Sequence, residues 1–289
     1  VQSQSKTSVT ASASPGNRLS IVITGSTRGI GRGLAVEFLR RGHAVTLAGR
    51  DPAAVEAAVA ALEAGAPGRV AGRATEVSDA AAMQALWDLA VERFSRVDLW
   101  INNAGMTTPK QLLTDLRDTD IATVVHSNLT GLIYGCQVAI RGMRAQPGGG
   151  RIFNMEGFGS DGLTQPGMTV YGATKCAVRY LTKSLVKECA GTPVLVCTAS
   201  PGIVITEFLT RDLYAHDPAQ LAARRGRLIL LADRVETVAP ALVDGMLKAD
   251  KPGADVRWMT PMRAIGRLLA APFRKRDPFA APAGGAPGP

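Results

Sequence analysis

Leu19-Ser20-Ile21-Val22-Ile23-Thr24-Gly25-Ser26-Thr27-Arg28-Gly29-Ile30-Gly31 is the stretch that decides the fold. An apolar run enters a turn carrying three glycines, and a segment of helical character begins inside that turn. Glycines let a backbone approach a pyrophosphate closely. A helix that starts there points its free N–H groups and the positive end of its dipole at the phosphates. A glycine-rich turn alone is weak evidence, but this one joins the first strand candidate to the first helix candidate. Gly25, Ser26, Thr27, Arg28, Gly29, Ile30 and Gly31 are therefore the expected phosphate cradle.

Outward from this turn, short apolar runs alternate with longer helical segments. Strands are expected at Leu19–Thr24, Ala44–Gly49, Arg69–Thr75, Val97–Asn102, Arg151–Met155, Val194–Ala199 and Asp255–Met259. Helices are expected near 29–41, 51–64, 79–95, 117–145, 171–190 and 236–248. Asp51-Pro52 is a strong helix start, a capping carboxylate followed by proline at the first position. Continuous apolar strands separated by helices imply a parallel sheet covered on both faces. Right-handed crossovers then give an α/β, doubly wound Rossmann-type domain, with ligands at the carboxyl ends of the strands.

This domain is expected to span 19–260, followed by a basic amphipathic segment at 261–277 and a Pro/Ala/Gly tail at 278–289. Residues 1–18 are rich in Ser, Thr and Ala and carry no acidic residue. They read as a disordered leader, either a plain flexible terminus or the remnant of an organelle transit peptide. No apolar run approaches the ~18–20 residues needed to span a bilayer. The four cysteines, Cys136, Cys176, Cys189 and Cys197, are widely spaced and form no cluster with the three histidines. Buried thiols of a reducing compartment are expected, and no metal site. Lys and Arg exceed Asp and Glu by 33 to 24, a net charge of +9. Phe, Trp and Tyr together make up only 5%, too few to interleave basic patches, so a nucleic-acid partner is not expected.

Three further motifs follow, two at the ends of predicted strands and one at the start of a predicted helix. Asn102-Asn103-Ala104-Gly105 closes the fourth, and Ser200-Pro201-Gly202-Ile203 follows the sixth. Tyr171-Gly172-Ala173-Thr174-Lys175 places Tyr and Lys one helical turn apart on one face. With the T-G-x-x-x-G-x-G turn, these make the chain resemble the short-chain dehydrogenases/reductases over about residues 19–259. The resemblance implies that Tyr171 is the general acid of a carbonyl reduction. A free tyrosine has a pKa near ~10, and the charge of Lys175 favours its ionised form during turnover. In the family this Lys also bonds the nicotinamide ribose. Asn128 matches the family's helix Asn, which holds a water behind the Lys. The cofactor contacts implied include Asn103, Ala104, Gly105, Tyr171, Lys175, Pro201, Gly202, Ile203 and Thr206.

One departure stands out. The family usually carries two serines after the fifth strand, the second bonding the substrate carbonyl. Here Glu156 and Gly157 take those places, and Ser160 is the expected replacement donor. Cofactor choice follows from charge. Gly49 stands where a carboxylate would hold a ribose 2′-hydroxyl, while Arg28 and Arg50 suit a 2′-phosphate, so NADPH is expected. Glu76-Val77 occupies the family's adenine-contacting Asp-Val position.

Met155-Glu156-Gly157-x-Gly159-Ser160, Val170-Tyr171-Gly172-x-Thr174-Lys175-Cys176 and Val256-Arg257-Trp258-Met259-Thr260 resemble the chlorophyll(ide) b reductase branch. That implies reduction of the formyl group of chlorophyll b or chlorophyllide b to hydroxymethyl. Ile205, Phe208, Leu209, Leu213, Leu228, Ile229, Leu230 and Leu231 are the expected apolar wall over the site. Met262, Ile265, Leu268, Leu269 and Phe273, flanked by Arg263, Arg267, Arg274, Lys275 and Arg276, suggest an interfacial helix on an anionic membrane. A helix packed on the domain or on a neighbouring subunit is the competing reading. Two other functions stay open: a reductase of another hydrophobic aldehyde or ketone, and a catalytically weak scaffold on this fold. A homo- or hetero-oligomer with a homologous reductase is expected. The expected place is the stromal side of the chloroplast thylakoid, or the cytoplasm if the source is bacterial.

Overall fold

Seven short runs pair side by side in one parallel sheet of order β3-β2-β1-β4-β5-β6-β9. The strands are β1 (Ser20–Thr24), β2 (Ala44–Gly49), β3 (Val70–Ala74), β4 (Leu99–Asn102), β5 (Gly150–Met155), β6 (Val194–Ser200) and β9 (Asp255–Arg257). The computed structural model describes residues 18–207, 209, 230–271, 278 and 279. Every residue of β1 is buried, as a central parallel strand requires. Register is set residue by residue: Ile21 faces Val45 on one side and Leu99 on the other. The strand order reverses at β1, between β2 and β4, which puts a ligand crevice at their carboxyl ends.

Side chains of β1 alternate between two cores. Ile21 and Ile23 join Leu34 and Phe38 of α1 (Gly29–Arg40), Ala58 of α2 (Pro52–Glu63) and Leu242 and Met246 of α7 (Val235–Lys248). Val22 joins Trp100 and the other face's helices, α3 (Ala80–Phe94), α5 (Gly131–Ala145) and α6 (Thr169–Glu188). The doubly wound expectation holds. Asp51 caps α2 by accepting from the Ala53 N–H at 3.0 Å, with Pro52 at the first position, as expected. Cys136, Cys189 and Cys197 are buried, but Cys176 is exposed.

Two local features differ from the sequence expectation. The helix expected over 117–145 is α4 (Asp118–Val125) and α5 joined through a π-helical turn, His126–Thr130. Two three-residue strands, β7 (Ile203–Ile205) and β8 (Ala232–Arg234), pair in parallel beside the main sheet. They are too short to show a periodic pattern. The segment 261–277 contains a helix, α8 (Pro261–Ala270), started by the Thr260 hydroxyl accepting from the Arg263 N–H at 3.2 Å.

Candidate active site

The glycine turn is built by close approach of two strand ends. Gly25 has φ +63°, and a Cβ there would stand 2.8 Å from Ala104 Cα. A Cβ on Gly31 would meet the Asn103 carboxamide nitrogen at 2.6 Å. That carboxamide donates to the carbonyls of Thr24 and Gly25, each at 2.9 Å. The Thr24 hydroxyl accepts from the N–H groups of Asn103 and Ala104, both at 3.0 Å. Ser26 is wholly buried, and its hydroxyl donates to the Ile23 carbonyl and accepts from the Ala48 N–H. Ser26 thus shapes the cradle, whose open rim is left to Thr27, Arg28, Gly29 and Ile30. Thr206 lies over the turn, its methyl 3.5 Å from where a Gly29 Cβ would be.

At the far end of the cradle, Gly49 closes β2 against Thr27. A Cβ at 49 would come within 2.8 Å of the Thr27 methyl, so this strand end has no room for the usual acidic side chain without moving Thr27. Arg50 is exposed beyond it. Arg28 is also exposed and pairs with Glu207 at 3.1 Å, so a phosphate arriving here competes with that carboxylate. Glu76 accepts from the N–H and hydroxyl of Ser78, and Val77 is buried against Gly131.

The reacting groups come from α6. Tyr171 and Lys175 are both buried, with the ammonium nitrogen 5.8 Å from the centre of the Tyr171 ring. Lys175 Nζ donates to the Met155 carbonyl at 3.0 Å. The Tyr171 hydroxyl sits against Gly157, and any Cβ there would overlap it. Burial pushes the Tyr171 hydroxyl up to about 12, which keeps it protonated. Burial brings Lys175 down to about 8, opposed by the nearby charge of Glu156. Asn128 is buried in the π-helical turn. Its carboxamide accepts from the Met106 N–H at 2.7 Å and donates to the Met106 carbonyl and to Thr174 Oγ1. Lys175, Asn128, Thr24 and Asn102 line one small cavity, with Gly105 beside the Lys and Asn side chains. Ser160 is buried next to this group, its hydroxyl accepting from the Gly157 N–H at 3.1 Å. That bond leaves the hydroxyl proton for another acceptor.

Glu156 is held by partners that no sequence motif names. Its carboxylate is buried and bidentate with Arg179 of α6, at 2.8 and 2.9 Å. The signal was legible: Arg179 follows Lys175 by one turn and Tyr171 by two.

Around the site, Pro201 and Gly202 follow β6, Gly202 with φ +70°. Ile203 and Ile205 lie on β7. Of the expected apolar wall, Ile205, Leu209, Leu230 and Leu231 are half-buried, while Phe208, Leu213, Leu228 and Ile229 fall outside the described residues. Exposed Leu112, Leu113 and Leu163, on loops after β4 and β5, add apolar surface that the sequence reading missed. The two loops touch where Gly167 meets Lys110 and Gln111.

In helix α8 two of the flanking cations turn toward the domain while the apolar stripe faces out. Arg263 stacks on Trp258, 3.8 Å from the ring centre, and Arg267 pairs with Asp233 at 2.7 Å. These two cations therefore tie the helix to the domain. Met262 and Leu269 are 79% and 72% exposed, so the apolar side faces out. Phe273, Arg274, Lys275 and Arg276 lie outside the described residues. Among those described, no helix is long and apolar enough to cross a membrane.

A seven-stranded doubly wound sheet with this glycine turn, the Asn103 stitch and a Tyr-Lys pair on α6 defines a dinucleotide-dependent dehydrogenase class. The chain belongs to the short chain dehydrogenase family, whose model matches residues 20–215. It is similar to the probable chlorophyll(ide) b reductase NYC1, chloroplastic, of Oryza sativa subsp. japonica. The two are 34% identical over 271 residues, covering 88% of this chain and 52% of that protein. The chain thus spans about half the length of NYC1. It is also similar to the chlorophyll(ide) b reductase NOL, chloroplastic, of the same plant, 36% identical over 86% of this chain and 74% of that protein. A solved structure of ElxO with NADP bound superposes with TM-score 0.73 at 23% identity, covering 83% of this chain and 97% of that one.

Proposed function

We infer that this chain is an NADPH-dependent reductase of the formyl group of chlorophyll b or chlorophyllide b. The observation that carries the reading is the placement of Tyr171 and Lys175. A buried, protonated hydroxyl and an ammonium group stand together at the carboxyl edge, beside a glycine cradle that backbone contacts hold open. Similarity to two chloroplastic chlorophyll(ide) b reductases across most of the chain supports the substrate.

The cradle fits NADPH: side chains are excluded at Gly25 and Gly31, and cations flank its far end. Residues 25–31, Asn103–Gly105, Tyr171, Lys175, 201–203 and Thr206 would hold it, with Val77 by the adenine and Arg28 and Arg50 at a 2′-phosphate. When bound, NADPH supplies the hydride. Tyr171 Oη gives its proton to the carbonyl oxygen, and the Lys175 ammonium stabilises the phenolate left behind. Ser160 donates to the same oxygen, and Asn128 keeps the cavity behind Lys175 in shape. Since burial brings Lys175 down to about 8, its charge is present below that pH and lost above it, so reduction should decline on the alkaline side. The exposed leucines at the mouth suit a large apolar ring. The protein works on the stromal side of thylakoids, as an oligomer with itself or a homologous reductase, with the outward face of α8 toward lipid.

The test is NADPH oxidation with chlorophyll b and chlorophyllide b, with the hydroxymethyl product identified. Tyr171→Phe should abolish turnover and keep NADPH affinity, because only the transferable proton is lost. A Phe variant retaining more than about a tenth of the rate would show another acid at work.

A further inference from the structure

The end of β5 and the inward stripe of α6 meet one to one. Tyr171, Lys175 and Arg179 stand one turn apart on a single helix face. Opposite them lie three consecutive residues. Gly157 receives the Tyr171 hydroxyl, the Met155 carbonyl receives Lys175, and the Glu156 carboxylate receives Arg179. Glu156 is anchored from behind, its N–H bonded to the Ala199 carbonyl at 2.8 Å. Arg257 of β9 approaches the same carboxylate at 3.8 Å. The Glu156 side chain is 3% exposed. A buried ion pair returns little net stability against its desolvation, so stability alone is a weak reason for this one. The proton-transfer scheme above makes no use of this carboxylate.

We propose that Glu156 is a positioning residue for the reduction. Through Arg179 it locks α6 against the end of β5, which fixes the helix face that carries Tyr171 and Lys175. The inference rests on Tyr171 and Lys175 being the reacting pair.

The charged surroundings of Lys175 are specific. Glu156 is the charged group that acts on Lys175, with Tyr171 and Arg179 one turn to either side on its own helix; Asp161 and Asp255 act on Arg179, and Arg257 approaches Glu156. From β1, β4 and the π-helical turn Lys175 meets uncharged Thr24, Asn102, Ser127 and Asn128. Glu156 is the charge that opposes the effect of burial on Lys175. Removing it lowers the lysine further, so the ammonium is lost at a lower pH. The alkaline limb of the rate must then move down. A residue that only braced the fold would reduce rate or stability and leave that limb in place.

The experiment compares Glu156→Gln, Glu156→Asp and the double variant Glu156→Gln/Arg179→Gln with the unmodified protein. The double variant leaves no unpaired guanidinium and serves if the single Gln variant folds poorly. Two quantities are followed: the pH dependence of kcat for NADPH oxidation with the carbonyl substrate, and the titration of Lys175 by NMR on lysine-labelled protein without cofactor. Glu156→Gln should titrate Lys175, and lose rate, at a pH lower by about half a unit or more, and the double variant, which also removes the Arg179 charge, should shift in the same direction by less. Glu156→Asp should keep the original limb at reduced rate, and KM for NADPH should change less than about twofold throughout. An unmoved limb and unmoved lysine titration in a folded Gln variant overturn the proposal, as does a shifted limb in Glu156→Asp. Tyr171→Phe separates the two levels: an active Phe variant removes the reacting pair itself, whereas an inactive one with unmoved Gln limbs removes only the role of Glu156.

Discussion

Gly157→Ala tests the site at its tightest point. A Cβ at this position overlaps the Tyr171 hydroxyl and stands 3.2 and 3.4 Å from Lys175 Cε and Cδ, so the lysine stem blocks an easy escape. Ordinary contact begins at 3.4 Å. The hydroxyl must therefore retreat by about 0.5–1 Å, and a misplacement of ~1 Å costs on the order of 10²-fold in rate. The expected outcome is a 10–100-fold fall in kcat with NADPH affinity nearly unchanged, because the cradle lies on other elements. Overpacking a buried site typically costs about 1–3 kcal/mol, so a modest drop in melting temperature should accompany it. Stopped-flow NADPH oxidation under single-turnover conditions gives the chemical step, and fluorescence titration gives the affinity. A folded variant with undiminished single-turnover rate would mean that the Tyr171 hydroxyl is not where reduction needs it, and the proton-delivery scheme would fall.

Ser160→Ala should cut turnover by ~10²–10³ through loss of one donor to the forming oxyanion. An unaltered rate would move that role to a backbone N–H of the 157–159 loop or to Tyr171 alone. Arg50→Asp should flatten or reverse the preference for NADPH, by about 3 kcal/mol at most in relative kcat/KM. Equal kinetics with NADPH and NADH in the unmodified protein would refute the assignment. Because Glu207 holds Arg28 at 3.1 Å, Glu207→Gln should tighten NADPH binding severalfold, measured by fluorescence titration. The protein should co-sediment with anionic liposomes and be partly released by salt. Met262→Ser/Leu269→Ser should weaken this, since those side chains face outward. An intact protein that ignores such liposomes at low salt has no direct lipid contact.

The sheet was legible because each central strand is a short run dominated by apolar residues, as burial on both faces demands. The phosphate cradle was legible for a related reason. Gly25 and Gly31 are required by close approach, and a missing side chain is visible in a sequence. Ser26 was placed among the cofactor contacts by its position, yet its hydroxyl is committed to Ile23 and Ala48, because position in a motif does not reveal which way a small polar group turns. The two arginines of α8 misled in the same manner. Their spacing reads as a basic flank, but a guanidinium finds Trp258 or Asp233 only once distant segments are folded together. The β7–β8 pair was invisible, since three residues are too few for periodicity to register. Arg179 was overlooked although its spacing was plain, because no family motif drew attention to it.

The π-helical turn at His126–Thr130 carries a consequence for chain length. A π-helical turn is a single residue inserted into an otherwise regular α-helix. Deleting one residue from it would let α4 and α5 fuse into one ordinary rod, satisfying every backbone bond and even favouring the helix locally. Because the fifth residue on in a π-turn stands where the fourth stands in an α-helix, the fusion would leave α4 and the buried face of α5, which includes Leu132, Cys136 and Ala139, close to their present places. The change would fall on the turn itself, where Asn128 reaches Met106 and Thr174 and walls the cavity behind Lys175. The surplus residue thus serves the site rather than the helix, and its removal should spare the fold while displacing the carboxamide behind the lysine.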